Sequence, residues 1–222
     1  MVSVDGGERF RSSRHQDEFT TICASASLPK KRNASDKKAT RESANTPYLF
    51  QEIRQPSERY LAIPSVVAET REFYTVAYLD KKVIAGNKLY TAIDPDGFLF
   101  AIISSSMFIT WQRAVGGHMK SVLRFSNEIV WNTLPLPEVS DKQRAAIIAA
   151  GQGVLDARAE QPGASLADMY NPLAMAPSLL KAHRVLDRAV DRAFGAKKPL
   201  ETNDERLALL FRRYQEMTAT DS

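Results

Sequence analysis

Residues Ser104 to Pro137, SSSMFITWQRAVGGHMKSVLRFSNEIVWNTLPLP, leave no slack between elements: a short helix, a double glycine, a basic strand and a Pro-terminated strand follow one another directly. Met107, Trp111, Ala114 and Val115 recur at helical spacing, and Ser104 to Ser106 offer N-cap hydroxyls. Gly116 and Gly117 suit the left-handed conformation that ends a helix, so the spacing predicts a helix that stops at about Val115. From His118 to Phe125 polar and apolar side chains alternate as in a half-buried strand, which would point His118, Lys120 and Arg124 one way. Such a row suits base edges or phosphates of duplex DNA, and it equally suits a solvated strand face.

A chain of 222 residues is long enough to bury a core and to hold one large or two small domains. The N-terminus has no apolar centre of the kind a secretory signal needs, and no run approaches a membrane span. One cysteine, Cys23, rules out an internal disulfide and suits a reducing cytoplasm, the expected location. The net charge is +4, and the excess falls at the start, above all in KKRNASDKKATR from Lys30 to Arg41. That run could lie along phosphates or be a solvated helix.

Residues 1–29 are polar and aperiodic and read as disordered or as an unrelated start, and residues 30–45 favour a basic helix. Within 46–137, short β-branched and aromatic runs at Tyr60–Ile63, Phe73–Leu79, Val83–Ala85, Leu89–Ile93 and Phe98–Ile103 predict a β-rich module. Pro56, Pro64, Gly86-Asn87 and Asp94-Pro95-Asp96-Gly97 punctuate it. Lys81 and Lys82 sit near a turn, where they would touch phosphate or keep an edge strand soluble. Residues 138–222 change character to a small helical bundle, with helices expected from Ser140 or Asp141 to Ala159, from Pro177 to Phe194, and after the Thr202/Glu205 capping box. The expected fold class is therefore α+β: a β-rich module, then a helical bundle.

Catalytic motifs do not emerge. Gly151-Gln-Gly153 is a GxG inside a helical pattern, not a strand-to-helix cofactor turn, and Asn171-Pro172-Leu173-Ala174 lacks the second proline and the aromatic of a base-flipping tetrad. Asp80, Lys81, Lys82 and Asp96 do not fall in the order of a magnesium nuclease core. His15, His118 and His183 are too scattered for a zinc site, and Ser105, Ser106 and Cys23 have no visible activating partners. The chain by itself is expected not to be catalytic, with no catalytic, cofactor-binding or metal residues of its own. A complete enzyme with an unrecognised site would instead show shifted titratable groups gathered in a deep pocket.

Trp111–Val115, Lys120-Ser121, Arg124-Phe125-Ser126 and Val130-Trp131-Asn132-Thr133-Leu134-Pro135-Leu136-Pro137 resemble the target-recognition domain of MmeI-like (type IIL) restriction and modification enzymes. Thr46-Pro47 through Phe50, Glu52–Pro56, Tyr60–Pro64, Lys181-Ala182-His183 and Ala189–Gly195 agree in order, so the resemblance covers roughly residues 30–218. Those enzymes are single-chain DNA N6-adenine methyltransferases that use S-adenosylmethionine, with magnesium for cleavage. The resemblance implies sequence-specific recognition of double-stranded DNA by a target-recognition domain (46–137) joined to a C-terminal helical domain (138–222), after a helical lead-in (30–45). On this reading the sequence begins partway into a longer architecture, without its methyltransferase and nuclease domains. A separate specificity subunit that docks on a catalytic methyltransferase chain is the alternative, favoured by an exposed apolar stripe on the last two helices.

By the same resemblance Lys120 is the first candidate base reader, because its ammonium can donate to guanine O6 and N7. Val122 stands where family members often place a charged partner, which alters the expected base preference. His118, Arg124 and Arg113 are second candidates, each equally suited to phosphate or to a carboxylate such as Glu128. Trp111 and Trp131 are expected in the core, and Asn132 in a turn.

Overall fold

The structure, a computed structural model, describes residues 27–46, 56–119 and 121–220. Residues 1–54 and 55–222 form two compact units. In the first, α1 (Ser27–Asn33) and α2 (Lys38–Glu42) replace the single helix expected over 30–45. The break falls where Ser35 Oγ accepts from Lys37 N at 3.3 Å, a local bond that competes with the helical ladder. Arg32 donates to Ser43 O at 3.0 Å, and Arg41 to Ser35 O and Asp36 O at 2.8 and 2.9 Å. Two cations of the basic run are thus spent on its own backbone.

The second unit is α+β. Strands β1 (Tyr60–Pro64), β2 (Val66–Ala68), β3 (Ala77–Leu79) and β4 (Leu89–Ala92) precede α3 (Phe98–Ile103) and α4 (Ser106–Val115). A hairpin of β5 (Gly117–Met119) and β6 (Val122–Arg124) and a π-helical turn at Asn127–Trp131 lead to α5 (Asp141–Ala159), α6 (Leu166–Met169), α7 (Pro177–Ala193) and α8 (Asn203–Thr220). The strands make two antiparallel sheets of order β3-β1-β4 and β2-β6-β5. Ser65 joins them: its N–H donates to Lys88 O in one sheet's margin, and its carbonyl accepts from Phe125 N beside the other.

Several elements differ from the sequence expectation for identifiable reasons. Phe98–Ile103 is a helix, because Asp94 and Asp96 accept the N–H groups of Phe98, Leu99 and Phe100 at 2.8–3.1 Å. The turn signal is therefore a helix start. Phe73 and Tyr74 are fully buried yet lie outside any strand, so only Ala77–Leu79 of that apolar run pairs, and Val83–Ala85 forms no strand. Val130–Pro137 is no strand either; Ser126 Oγ caps the π-helical turn through Ile129 N. Strand β2, just after Pro64, was not expected. The helical boundaries after Pro137 follow the sequence closely, with capping boxes Ser140/Gln143 and Thr202/Glu205 in place.

The core runs from the sheets into the C-terminal helices. Met107, Phe108, Ile109 and Trp111 of α4 are buried with Leu61, Phe100, Ile147, Val154, Leu186, Val190 and Leu210. Helix α4 packs on α7 and α8, and α5 on α3 and α7. Its N-terminus is buried and must be satisfied internally. Asp187 of α7 accepts from Ser106 N and Ser106 Oγ, both at 2.7 Å, while Ser105 Oγ accepts from Phe108 N. Nearby, Arg206 forks onto Asp191 at 3.0 and 2.9 Å. Burial pushes both carboxyl pKa values up, that of Asp191 to about 6, against the opposing pull of these donors.

Gly116 and Gly151 are set by close approach rather than by backbone angle. Gly116 has φ −73°, and the expected left-handed C-cap does not form. A Cβ there would lie 2.1 Å from Gln112 Nε2, whose amide reaches across to Arg124 O at 3.0 Å. At Gly151 a Cβ would stand 2.7 Å from Ala101 Cβ where α5 crosses α3, whereas Gly153 faces open space.

A buried polar chain completes this region. Arg158 Nε donates to Tyr170 Oη at 2.8 Å, so the tyrosine proton goes to His183 Nε2 at 2.7 Å and the imidazole, stacked on Phe73, stays neutral. Burial, then the Arg158 charge, lowers the His183 pKa from 6.5 to about 3.

The two glycines and the buried imidazole each predict a stability effect. Gly151→Val overpacks the α3–α5 crossing and lowers folding stability by about 1–3 kcal/mol in a urea melt, whereas Gly153→Ala raises it by about 0.5–1 kcal/mol. Equal effects of one sign would refute the packing account. Between pH 6.5 and 3 the unfolded chain protonates His183 and the folded chain does not, so stability falls as pH falls. Asp187 and Asp191 act in the opposite direction, but they do so equally in wild type and His183→Gln. The stability gap between those two proteins therefore narrows from pH 6.5 to 4.5, and the His183 ring proton shifts in NMR show no titration at pH 5; a constant gap with a titrating ring would overturn the assignment.

Candidate nucleic-acid interface

Two candidate residues, His118 and Arg124, lie on the β2-β6-β5 sheet. In β5 and β6, Gly117 pairs with Arg124, His118 with Leu123 and Met119 with Val122. On the other side of β6, Arg124, Leu123 and Val122 pair with Val66, Val67 and Ala68. Residues directly opposite in an antiparallel ladder share a face. Val67, Leu123 and His118 therefore occupy one face, the first two buried and His118 exposed at its margin on the edge strand. Arg124 is exposed on the other face with Val66 and Gly117. The expected single row does not exist, because the chain reverses between β5 and β6 and the parity of one strand does not carry into the next. Lys120, the first candidate, lies outside the described residues.

Arg113 ends α4 half-buried. Its Nη2 donates to Arg71 O at 2.6 Å and to Glu69 O at 3.3 Å, which ties the segment after β2 to the helix end. Burial lowers its pKa, opposed by the charges of Glu69 and Glu72. Part of its donor fork is thus committed to backbone.

Lys81 and Lys82 are both exposed in the turn after β3, in the other sheet from the hairpin. Asp80 shapes this turn by accepting from Lys82 N at 2.9 Å through its side chain and from Val83 N at 2.9 Å through its carbonyl. The Tyr60 hydroxyl holds the far side by donating to Val83 O. The hairpin and the lysine turn are thus separate basic sites on two linked sheets.

A depression of about 190 Å³ is lined by Arg59, Tyr78, Asp94, Asp96, Phe100 and Gln152. Its acids are engaged. Asp94 takes the Tyr78 hydroxyl at 2.5 Å as well as two α3 N–H groups, and Asp96 takes Arg144 at 2.7 Å. Arg59 stacks over the Tyr78 ring at 3.8 Å. Burial and Asp94 push the Tyr78 phenol pKa up, so it stays protonated and serves as a donor. Such groups brace a helix start; they leave no acid or base poised for proton transfer. Trp111 is buried, its Nε1 donating to Val130 O at 3.1 Å, and Trp131 packs on Phe108 at the core margin.

A further set of exposed cations is not evident from the sequence. Lys181, Arg184, Arg188 and Arg192 all face outward on α7, while its acids Asp187 and Asp191 face inward. In the sequence Asp187 and Asp191 stand three residues after Arg184 and Arg188, a spacing that reads as ordinary charge pairing along one helix, so only their burial reveals the cationic face.

Comparison with known proteins identifies the architecture. Residues 14–138 match the model of the MmeI target recognition domain and residues 139–221 that of the MmeI C-terminal domain. DNA methyltransferase A of Bacillus subtilis (strain 168) is 36% identical over 187 residues, which are 84% of this chain and 21% of that protein. The solved structure of the Type IIL restriction-modification enzyme MmeI in complex with DNA matches with a TM-score of 0.78 and 41% identity, covering 86% of this chain and 25% of the other. The chain therefore spans about a fifth to a quarter of the length of these relatives. Its matched segments together take in nearly all of its length, and the chain belongs to the MmeI family, carrying the target recognition domain followed by the C-terminal domain.

Proposed function

We propose that this chain recognises a specific sequence in double-stranded DNA as the target-recognition and C-terminal part of a restriction-modification N6-adenine methyltransferase. The match of residues 14–138 to a target recognition domain carries this reading, with the DNA complex of the MmeI relative in support. The chain selects the site and places one adenine for extrusion, while methyl transfer from S-adenosylmethionine, and magnesium-dependent cleavage, belong to catalytic domains of the kind the longer relatives carry. Its own GxG supports that division: Gly151 is pressed against Ala101 at a helix crossing, the wrong setting for a cofactor loop. The methyltransferase domain is supplied by the same polypeptide or by a partner chain. A role on DNA supports the cytoplasm as its location; among the described residues no helix is long and apolar enough to cross a membrane.

In this reading Lys120 donates to a base edge, His118 and Arg124 meet DNA from opposite faces of the hairpin sheet, Arg113 steadies the segment after β2, and Lys81 and Lys82 meet phosphate. The free edge of the sheet supports it physically, since β5 is the outer strand and carries exposed His118, from which a side chain can reach a base edge or a phosphate. The test is selection from a pool of random duplexes at low and physiological salt, with sequencing of what is retained. Recovery of one short asymmetric motif containing adenine is expected, and unselective retention would sink the proposal.

With the motif in hand, Lys120→Ala relaxes preference at one position, with a loss of about 1–3 kcal/mol for the correct base. An unchanged motif removes Lys120 from base reading. Replacing Lys81 and Lys82 by alanine weakens matched and unrelated duplexes alike and flattens the salt dependence by about 0.9 for each phosphate no longer neutralised; a loss confined to one sequence contradicts a phosphate role.

A further inference from the structure

The C-terminal helices display an unusual separation of charge. Along α7 the outward positions Lys181, Arg184, Arg188 and Arg192 are all cationic and all exposed, with Val185 among them. The two aspartates of the same helix are 2% exposed and committed inward, Asp187 to Ser106 and Asp191 to Arg206. Just past the helix end, Lys197 and Lys198 join Arg188 and Arg192 around a depression of about 60 Å³, whose one acid, Asp191, is held by Arg206. Among the described residues Lys181, Arg188, Arg192 and Lys197 have no ion pair; Arg184 meets Glu72 at 3.0 Å and Lys198 approaches Glu205 at 3.6 Å, both at exposed positions.

Neighbouring helices show the ordinary pattern. Helix α5 exposes Asp141 and Asp156 as well as Lys142, and α8 exposes Asp204 and Glu216 as well as Arg212. A solvated helix face gains a little from alternating signs, so an outward face with cations alone forgoes the usual i,i+4 pairing. It offers a positive edge about 16 Å long from Lys181 to Arg192, offset only where Glu72 meets Arg184. Over that length duplex DNA carries on the order of ten phosphate charges.

The edge also begins beside the recognition module. Arg184 holds Glu72, and the adjoining Arg71 carbonyl is the one that Arg113 holds from the end of α4. One short segment after β2 thus has a candidate DNA residue on one side and the start of the cationic edge on the other.

We propose that the outer face of α7, with Lys197 and Lys198, is a second DNA contact that grips backbone phosphates without reading sequence. It rests on the DNA-recognition reading above and adds a surface to it in the C-terminal domain. The recognition hairpin then sets which sequence is bound, and α7 supplies salt-dependent affinity common to all sequences. An acidic protein surface is the competing occupant of such an edge.

The test uses the full chain, the variant Arg188→Gln/Arg192→Gln/Lys197→Gln, and the control Lys142→Gln on α5. Affinity for one duplex carrying the selected motif and one unrelated duplex is measured over a series of salt concentrations, with thermal melts to establish that all three proteins are folded. The triple variant is expected to bind both duplexes more weakly by a similar factor and to reduce the slope of log affinity against log salt by about two to three, since each phosphate left without its cation removes roughly 0.9. Its selected motif is unchanged, and the control matches wild type. A folded triple variant with wild-type affinity and slope overturns the proposal and leaves the face to an acidic protein partner, while the recognition reading stands. If the wild type binds without selecting a motif and the triple variant still loses slope, the recognition reading fails and the phosphate edge survives. Absence of wild-type binding at low salt overturns both.

Discussion

Helix α4 can exist only because its buried N-terminus is satisfied from another part of the chain. Buried N–H groups without partners each cost on the order of 1–3 kcal/mol, and the Ser106 N–H and hydroxyl both find Asp187 at 2.7 Å. That carboxylate comes from α7, more than eighty residues later in sequence, and α7 is held in turn by Arg206 of α8 through Asp191. The helix so fixed presents Trp111 to Val130 O and Gln112 to Arg124 O, which anchors the turn and the hairpin that follow it. The β5–β6 hairpin is thus positioned by a chain of bonds that starts in the C-terminal helices.

This dependence explains why the segments matching two family models share one core. A small three-stranded sheet buries too little to stand alone, and here both sheets lean on helices from either side of Pro137. Leu61 and Phe100 belong to the same cluster as Ile147, Leu186 and Leu210. The C-terminal helices are therefore a part of the recognition module's scaffold, and a DNA contact on their outer face would be rigidly coupled to the hairpin.

Sequence legibility followed the locality of the forces. Helix boundaries after Pro137 were readable because caps such as Ser140/Gln143 and Thr202/Glu205 are satisfied within one turn. The α3 segment reads as a strand because Phe98–Ile103 is apolar on every side, and a fully buried helix loses the period that distinguishes it. The hairpin reads as one strand for a related reason. His118–Phe125 alternates in pattern, yet the reversal between β5 and β6 sends His118 and Arg124 to opposite faces. Gly116 looks like a C-cap glycine and is instead a contact glycine, which only the position of Gln112 reveals.

Charge was the least legible property of all. The last part of the sequence, residues 136–222, balances its acids and bases, so a count gives no sign of a basic surface. Burial withdraws two acids, Asp187 and Asp191, and two bases, Arg158 and Arg206, so the sum stays even; the asymmetry is local to α7, whose acids turn inward while Lys181, Arg184, Arg188 and Arg192 stay outside. The same two carboxylates that secure the core thereby leave the outer face of α7 positive. A stabilising requirement of the fold and the electrostatic character of its surface thus have one origin, and exchanging those aspartates for neutral residues would disturb the scaffold without making the outer face any less cationic.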